Sequence, residues 1–217
     1  MYKHTIGVNI MDLLRELLSI SLEEMVQRIP SLKLEKLENP RENKKLYKNI
    51  STFAKKTSLG NFNALELSQI SKGRETEIYA IDRQREEVVY YMRYEIQQAD
   101  FIDVDWVTQV LVWRGSNIHS EGIAKYVFYK YVLDKFGIVV SDTQQTSYGE
   151  KFWKDRVIEA FSNPHLRVYL IDFNTHQIKK LNEGLYKELL FTKNDPWGDA
   201  SFHRGLRLCI ADFDLTH

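Results

Sequence analysis

The sequence has few of the residues that mark disulfide-rich, collagen-like or membrane proteins. Its 217 residues include one cysteine, Cys209, which excludes a disulfide within the chain and a zinc site with two or more cysteine ligands. Ten glycines and four prolines are too few for a collagenous chain. No apolar run approaches the roughly 18 residues of a transmembrane helix. The N-terminal residues lack the apolar segment of a secretory signal, so we expect a cytoplasmic protein with a buried, unreactive Cys209.

The composition is that of a globular protein. Hydrophobic residues make up 43% of the chain and charged residues 28%, which provides a core and argues against wholesale disorder. Lys and Arg total 30, as do Asp and Glu, so the formal net charge is zero. The net charge therefore gives no indication of nucleic-acid binding, although a local basic patch could still bind nucleic acid.

The first 60 residues differ from the rest and predict an N-terminal helical extension. Apolar residues recur at helical spacing over residues 9–28, and a second helix is predicted over 41–57. We expect this helical pair to dock on the main domain, or to bind a protein partner or another copy of the chain. The predicted division is therefore an extension over 1–60 and a main domain over 61–217.

The main domain alternates between strand and helix patterns. Strands are predicted at 62–71, 75–82, 87–96, 103–113, 138–140, 166–173 and 206–213, and helices at 120–136 and 146–161. Residues 174–205 favour neither type. Antiparallel strands followed by a strand–helix–strand–helix unit predict an α/β (α+β) fold, with a mixed, mostly antiparallel central sheet flanked by helices.

The stretch 107–124 is the most informative about function, because a strand, a break and a helix start follow one another. The first turn of a helix presents unpaired N–H groups and the positive end of its dipole. Gly122 would let a ligand approach the backbone closely. The pattern predicts an anion cup over residues 115–124 that could hold a phosphate or diphosphate. A glycine at a helix start also occurs for packing alone.

Two short motifs resemble the GNAT superfamily of N-acetyltransferases over roughly residues 75–213. His119-x-x-Gly122-x-Ala124 is similar to the family pattern Gln/Arg-x-x-Gly-x-Gly/Ala, with His in the first position. Thr146-x-x-Gly149-x-x-x-Trp153 has the spacing of the family pattern Asn-x-x-Ala-x-x-x-Tyr, with all three residues replaced. In that family the first motif binds the pyrophosphate of acetyl-CoA, and the strand before it is splayed from its neighbour. The resemblance implies acetyl-CoA as co-substrate and an amine as acceptor.

The resemblance also implies a set of acyl-CoA-binding residues. The backbone N–H of Val112 or a neighbour would polarise the thioester carbonyl. The other members are Arg114, Gly115, His119, Gly122, Ala124, Thr146 and Trp153. No metal is implied.

Acyl transfer to an amine needs a base, because only the neutral amine attacks a thioester. Asp103 and Asp105 share one face of a predicted strand, although exposed Asp at a strand start is also ordinary. Asp142 follows the strand 138–140, where open sheets bind ligands, and could equally cap the next helix. The indole of Trp153 cannot protonate the leaving thiolate, so Tyr148, Tyr126 or water would substitute.

Other functions stay open. A GNAT-shaped protein could bind a partner without turnover, because a fold does not determine a function. Its amphipathic start, Met11-Asp12-Leu13-Leu14, is similar to that of many bacteriophage proteins, which would suit a virion or host-directed role. The strand-end carboxylates could hold Mg²⁺, but most of them fit turns. These carboxylates are Asp82, Asp142, Asp172, Asp212 and Asp214.

Overall fold

The structure is a computed structural model that describes residues 38–115, 117–142, 147–191, 196 and 205–215. The helix predicted at 9–28 and Thr146 of the second motif lie outside these residues. Within the described part, no helix has the length and apolar character needed to cross a membrane.

Nine described strands form one sheet, in the order β1-β2-β3-β4-β5-β6-β9-β7-β8. Their bounds are β1 Thr57–Phe62, β2 Leu65–Lys72, β3 Glu75–Asp82, β4 Glu87–Ala99, β5 Ile102–Arg114, β6 Ile138–Val140, β7 Arg167–Asp172, β8 Gln177–Leu181 and β9 Leu206–Ala211. Every neighbouring pair is antiparallel except β5 and β6, which are parallel. The predicted mixed, mostly antiparallel α+β sheet is confirmed.

Four described helices accompany the sheet. They are α1 Pro40–Thr52, α2 over residues 123–136, α3 Ser147–Phe161 and α4 Glu183–Leu190. A 3₁₀ turn, Ile118–Ser120, precedes α2. The middle of α2, Phe128–Leu133, has π-helical hydrogen bonding between two α-helical segments. Gly137, with a φ of 70°, ends α2 as the sequence predicts.

The prediction for residues 41–72 was wrong in two places. The helix predicted over 41–57 ends at Thr52, because Phe53 takes an extended conformation. The strand predicted over 62–71 starts three residues too early, because Phe62 ends β1 and pairs with Leu65, the first residue of β2. Asn63 and Ala64 form the two-residue turn, and Asn63 has a φ of 52°, a conformation that Asn tolerates better than most residues. The predicted boundary at residue 60 therefore falls inside β1.

The stretch 174–205, which the pattern left unassigned, forms β8 and α4 where it is described. The turn from β7 to β8 is closed by Asp172, whose Oδ1 accepts the N–H groups of Asn174 and Thr175. Leu181 and Tyr186 are then buried against the sheet. Both elements are short, so their periodicity is weak in the sequence.

The two faces of the sheet bury different clusters. Face A, as we call it, packs against α2, α3 and α4 in one large apolar cluster that includes Val107, Phe128 and Trp153. Face B carries two smaller clusters. One packs around Tyr79 and Tyr91 beneath α1, and the other lies on β5, β6, β7 and β9. Because strand residues alternate between faces, this assigns each strand side chain to face A or face B.

Candidate functional site

The parallel strands β5 and β6 lie side by side over only two residue pairs. Residues 107–108 of β5 pair with residues 139–140 of β6. β6 ends there, whereas β5 continues to Arg114 along β4. No strand of the described chain pairs with the other edge of residues 109–114. That edge presents backbone donors and acceptors to any extended ligand laid along it.

The chain after β6 follows β9 instead of β5. The Ser141 N–H donates to the Leu208 carbonyl at 2.7 Å, and the Leu208 N–H donates to Ser141 Oγ at 3.0 Å. β5, in turn, contains a bulge at residue 110, because Gln109 and Leu111 pair with consecutive residues of β4. Bulges bend a strand and often lie beside functional sites. The two strands therefore part after Thr108, and we call the space between them the cleft.

Two buried polar side chains lack partners where the strands part. Thr108 and Gln109 are each 5% exposed. Thr108 Oγ1 and Gln109 Nε2 make no hydrogen bond. An unsatisfied buried polar group costs about 1–3 kcal/mol. Their side chains belong to face B and face A respectively, so the strand carries unmet polar groups on both sides at this point.

The loop between β5 and α2 leaves fewer N–H groups free for an anion than the sequence predicts. Four of its N–H groups already donate within the protein, those of Gly115, His119, Ser120 and Glu121. The Asn117 side chain and carbonyl accept two of these bonds. The predicted cup over 115–124 therefore reduces to the first turn of α2.

The first turn of α2 is open to an anion. Its N–H groups have no acceptor within the helix by geometry, and Gly122 at the N-cap supplies no side-chain cap. Gly122 has a φ of 74°, and an added Cβ would come no closer than 4.0 Å to Phe62 Cζ. Ala124 is half-buried behind it, and His119 is exposed beside it. These three residues of the first motif therefore surround one helix start.

The loop is held in place from the β3–β4 turn. Asn117 is buried and donates to Asp82 Oδ2 at 3.0 Å. Burial raises the pKa of Asp82, but hydrogen bonds from the Arg85 N–H, Asn117 and the Gln84 N–H outweigh it and hold the pKa below its usual value. Asp82 is therefore an ionised anchor for this loop.

A cavity of about 460 Å³ adjoins the loop on the α1 side. It contains Trp113, Arg114 and Gly115 at the end of β5. Cations and anions both line it, and Arg85 Nη1 is 3.8 Å from Glu87 Oε1. The other charged residues of the lining are Glu38 and Lys44. The predicted residues Arg114 and Gly115 thus face this recess, while Val112 packs against the face A cluster.

The two predicted carboxylate bases on β5 lie at the other end of the strand from the cleft. Asp103 and Asp105 are exposed beside the β4–β5 turn. Gln98 Nε2 donates to Asp105 Oδ1 at 2.5 Å. Three to five residues separate them from Thr108, which is about 10–17 Å along a strand. The structure does not bring them to the loop or to α2.

Asp142 and Tyr148 lie nearer the cleft in the topology. Asp142 is half-buried two residues beyond β6, at the carboxyl end that the sequence indicated. Tyr148 is in the first turn of α3 and is 87% exposed. Residues 143–146 between them, which include Thr146, are not among the described residues.

Trp153 belongs to the core. It is 2% exposed and makes an edge-on contact with Phe128, with ring centroids 5.7 Å apart. This packing against α2 explains an aromatic residue at the position without any contact to a ligand. The sequence predicts that Trp153 binds a cofactor, but its side chain has almost no exposed surface for such a contact. Gly149, of the same motif, lies one turn earlier on α3.

The remaining candidates take structural roles. Among the described residues, no three His, Cys, Asp or Glu side chains come together as a metal site. Asp82 and Asp172 accept turn N–H groups, as the turn interpretation predicted. Cys209 is fully buried, as predicted, and burial raises the pKa of its thiol, which disfavours the reactive thiolate.

Sequence reasoning missed Thr108 and Gln109 as well as Arg93, a buried arginine on β4. A signal was present, since Thr108-Gln109 interrupts the apolar run from Trp106 to Trp113. Polar residues within a central strand need partners, and the pairing of β5 decides whether they have them.

Comparisons with known proteins add no relative. No protein-family model matches the sequence, and no curated protein matches it.

Proposed function

We propose that this protein is a GNAT-like acyltransferase that moves an acetyl group from acetyl-CoA to an amine. The observation that carries the proposal is the parting of β5 and β6, with the uncapped start of α2 following β5 along the chain. The resemblance implied both a splayed strand and a diphosphate site at the next helix, and the structure has a strand that parts and an open helix start in that order along the chain.

The cleft suits the shape of acyl-CoA. An extended chain containing amide groups can bond along the free edge of residues 109–114, as an added strand would. The diphosphate would lie at the first turn of α2, where N–H groups and the helix dipole favour negative charge. A backbone N–H near Val112 would then donate to the thioester carbonyl and stabilise the oxyanion.

The chemistry needs one proton acceptor and one proton donor. The amine nitrogen attacks the thioester carbonyl, the C–S bond breaks, and the amine loses a proton as the thiolate gains one. Asp142, at the carboxyl end of β6, is the best placed of the proposed bases. Water protonates the leaving thiolate in this proposal, since Trp153 is buried and Tyr148 projects into solvent.

The test compares two substitutions of Ala124 that differ only in charge. Ala124→Glu places a carboxylate among the first-turn N–H groups, where it repels a diphosphate but suits the helix dipole. Ala124→Gln has nearly the same size and is neutral. CoA at 100 times its dissociation constant should raise the free energy of unfolding by about 2.7 kcal/mol in the parent and the Gln variant. The Glu variant should lose this gain.

Two measurements decide the result. Thermal or chemical unfolding with and without CoA reports binding, and release of free thiol from acetyl-CoA in the presence of amines reports turnover. If the parent gains no stability from CoA, or the Glu variant gains as much as the Gln variant, the proposal fails.

A second candidate function is binding without turnover. The observation that favours it is the lack of a tyrosine in contact with the cleft on the described part of α3, where Tyr148 is exposed and Trp153 is buried. Stabilisation by CoA without thiol release from any amine would support this candidate over the enzyme.

A further inference from the structure

Arg93 is a buried cation with an unused hydrogen-bonding edge. It lies in the middle of β4 and is 4% exposed. Its Nη1 is 3.6 Å from Glu75 Oε2, whereas its Nε and Nη2 have no hydrogen-bond partner. Nε and Nη2 lie on the same edge of the guanidinium plane, and together they form the fork that binds a carboxylate through two parallel bonds.

Two more unpartnered donors share face B with Arg93. Met92 and Tyr94 belong to the face A cluster, which places Arg93 on face B. Thr108 alternates with Val107 and so also lies on face B. Thr108 pairs with Glu95, two residues from Arg93 on the neighbouring strand, so the two side chains are diagonal neighbours.

Trp106 is the second of these unpartnered donors on face B. Its side chain is 2% exposed on face B, two residues before Thr108 on β5, and its Nε1 has no partner. The indole N–H and the guanidinium N–H groups are donors only, and the Thr108 hydroxyl can donate as well. What these groups lack is a shared acceptor.

The surrounding charges decide which acceptor fits. Glu77 lies opposite Arg93 on β3, and its two oxygens accept from the hydroxyls of Tyr79 and Tyr91, each at 2.8 Å. Glu75 and Glu95 lie on the same face. One cation, Lys72, lies among these three carboxylates, with its Nζ 3.7 Å from Glu77 Oε2. The remaining excess of negative charge disfavours a doubly charged phosphate and favours a singly charged ligand. It also favours a positive group elsewhere on that ligand.

We propose that face B holds a binding site for a small carboxylate-bearing ligand that also carries an amine, which is the chemical class of the amino acids. The carboxylate bonds to the Nε–Nη2 fork of Arg93 and to the Thr108 hydroxyl. The amine end faces the Glu75 and Glu77 side. A cavity of about 140 Å³ lies beside Glu77 and is also lined by Lys72 and Tyr79 on the sheet and by Ile50 on α1. The side chain of Glu75 is 32% exposed, so a ligand can reach the site from solvent on this side.

The position of this site connects it to the cleft. Thr108 is the last residue of β5 that pairs with β6, so the bound carboxylate would lie at the point where the strands part. The carboxylate end therefore adjoins the cleft, whereas the amine end points toward β3 and away from it. The site does not rest on the proposed function.

The direct test follows the Arg93 Nε–H signal in ¹H–¹⁵N spectra of the full chain. The probes are propionate, ethylamine and each of the twenty L-amino acids. Propionate has a carboxylate only and ethylamine an amine only. We expect at least one amino acid to shift the Arg93 signal in a saturable manner, propionate to shift it more weakly, and ethylamine to leave it unchanged.

Matched variants assign the effect to the fork. Arg93→Lys keeps the charge and removes the fork, and it should weaken the affinity for the best amino acid about tenfold or more. Thr108→Val keeps the shape and removes one donor, and it should weaken the affinity about fivefold. Arg74→Lys makes the same change at an exposed arginine whose Nη2 donates to Gln98, and it should leave the affinity unchanged. Calorimetry gives the affinities of the variants.

The outcomes separate this proposal from the preceding one. If no amino acid shifts the Arg93 signal, or if both Arg93→Lys and Thr108→Val bind as tightly as the parent, the carboxylate site is wrong. Thr108→Val carries the test if Arg93→Lys does not fold. Amino acid binding without any CoA binding would support the carboxylate site and contradict the acyltransferase. CoA binding without amino acid binding would contradict the carboxylate site and support the CoA-binding proposal.

Discussion

The two faces of one sheet are built in different ways. Face A buries a single apolar cluster under three helices, with Phe128 and Trp153 at its centre. On face B, the buried polar residues Glu77, Arg93 and Thr108 lie on strands whose apolar face B residues fall into two separate clusters. Apolar packing tolerates any neighbour of suitable shape, whereas each buried polar group needs a specific partner. Face A therefore supplies most of the apolar packing, and face B places the buried strand arginine Arg93 among carboxylates, while buried polar groups without partners occur on both faces.

The largest expected effect is on face A. Phe128→Ala removes a fully buried ring that contacts Phe152 and Trp153, and it should lower the free energy of unfolding by about 3–5 kcal/mol. Lys130→Ala, at an exposed position of the same helix, should change it by no more than about 0.5 kcal/mol. Denaturant unfolding measures both. A loss below about 1 kcal/mol for Phe128→Ala would show that α2 does not seal this face.

The docking of α1 on face B should be weaker but specific. The Asn43 side chain donates to the Val88 carbonyl at 3.0 Å and accepts from the Val88 N–H at 2.8 Å, both buried. Asn43→Ala should therefore lower the free energy of unfolding by about 1–3 kcal/mol. The control is Asn49→Ala at an exposed position of α1, which should have little effect. Equal effects in denaturant unfolding would contradict this role of Asn43.

The smallest effect should have the opposite sign. Thr108→Val replaces an unpartnered buried hydroxyl by a methyl group and should raise the free energy of unfolding, by up to about 1 kcal/mol. The matched control is Thr76→Val, since the buried Thr76 hydroxyl shares a 3.0 Å hydrogen bond with Ser71. That variant should be less stable than the parent. A loss of stability on Thr108→Val would mean that the hydroxyl has a partner, and would remove one basis for the binding site on face B.

The sequence predicted the elements whose patterns are strong and local. β3 has the predicted bounds of 75–82 and β6 those of 138–140, because alternating or continuous apolar residues identify a strand without reference to its partners. β1 was not predicted, since its residues 57–62 are half-buried or exposed on an edge strand and show no regular alternation. The short elements β8 and α4 escaped for a similar reason.

The site was less predictable than the fold. Gly122 and the start of α2 were identified because a glycine at a strand–helix junction is a local signal. Asp103 and Asp105 were placed near the chemistry because their strand was correct, but their distance from the cleft depends on where β6 pairs along β5. Whether the donors of Arg93 and Thr108 find acceptors depends on how β3, β4 and β5 pair.

Local pattern by itself determined the strands and helices whose apolar periodicity is strong, and which of their side chains share a face, since both follow from the repeat of the backbone. Only the tertiary structure decided that β5 leaves β6 after Thr108 and that buried donors on face B stay without acceptors. The physical reason is that hydrogen-bond satisfaction is settled between residues distant in sequence, through register and strand length, which no single segment encodes.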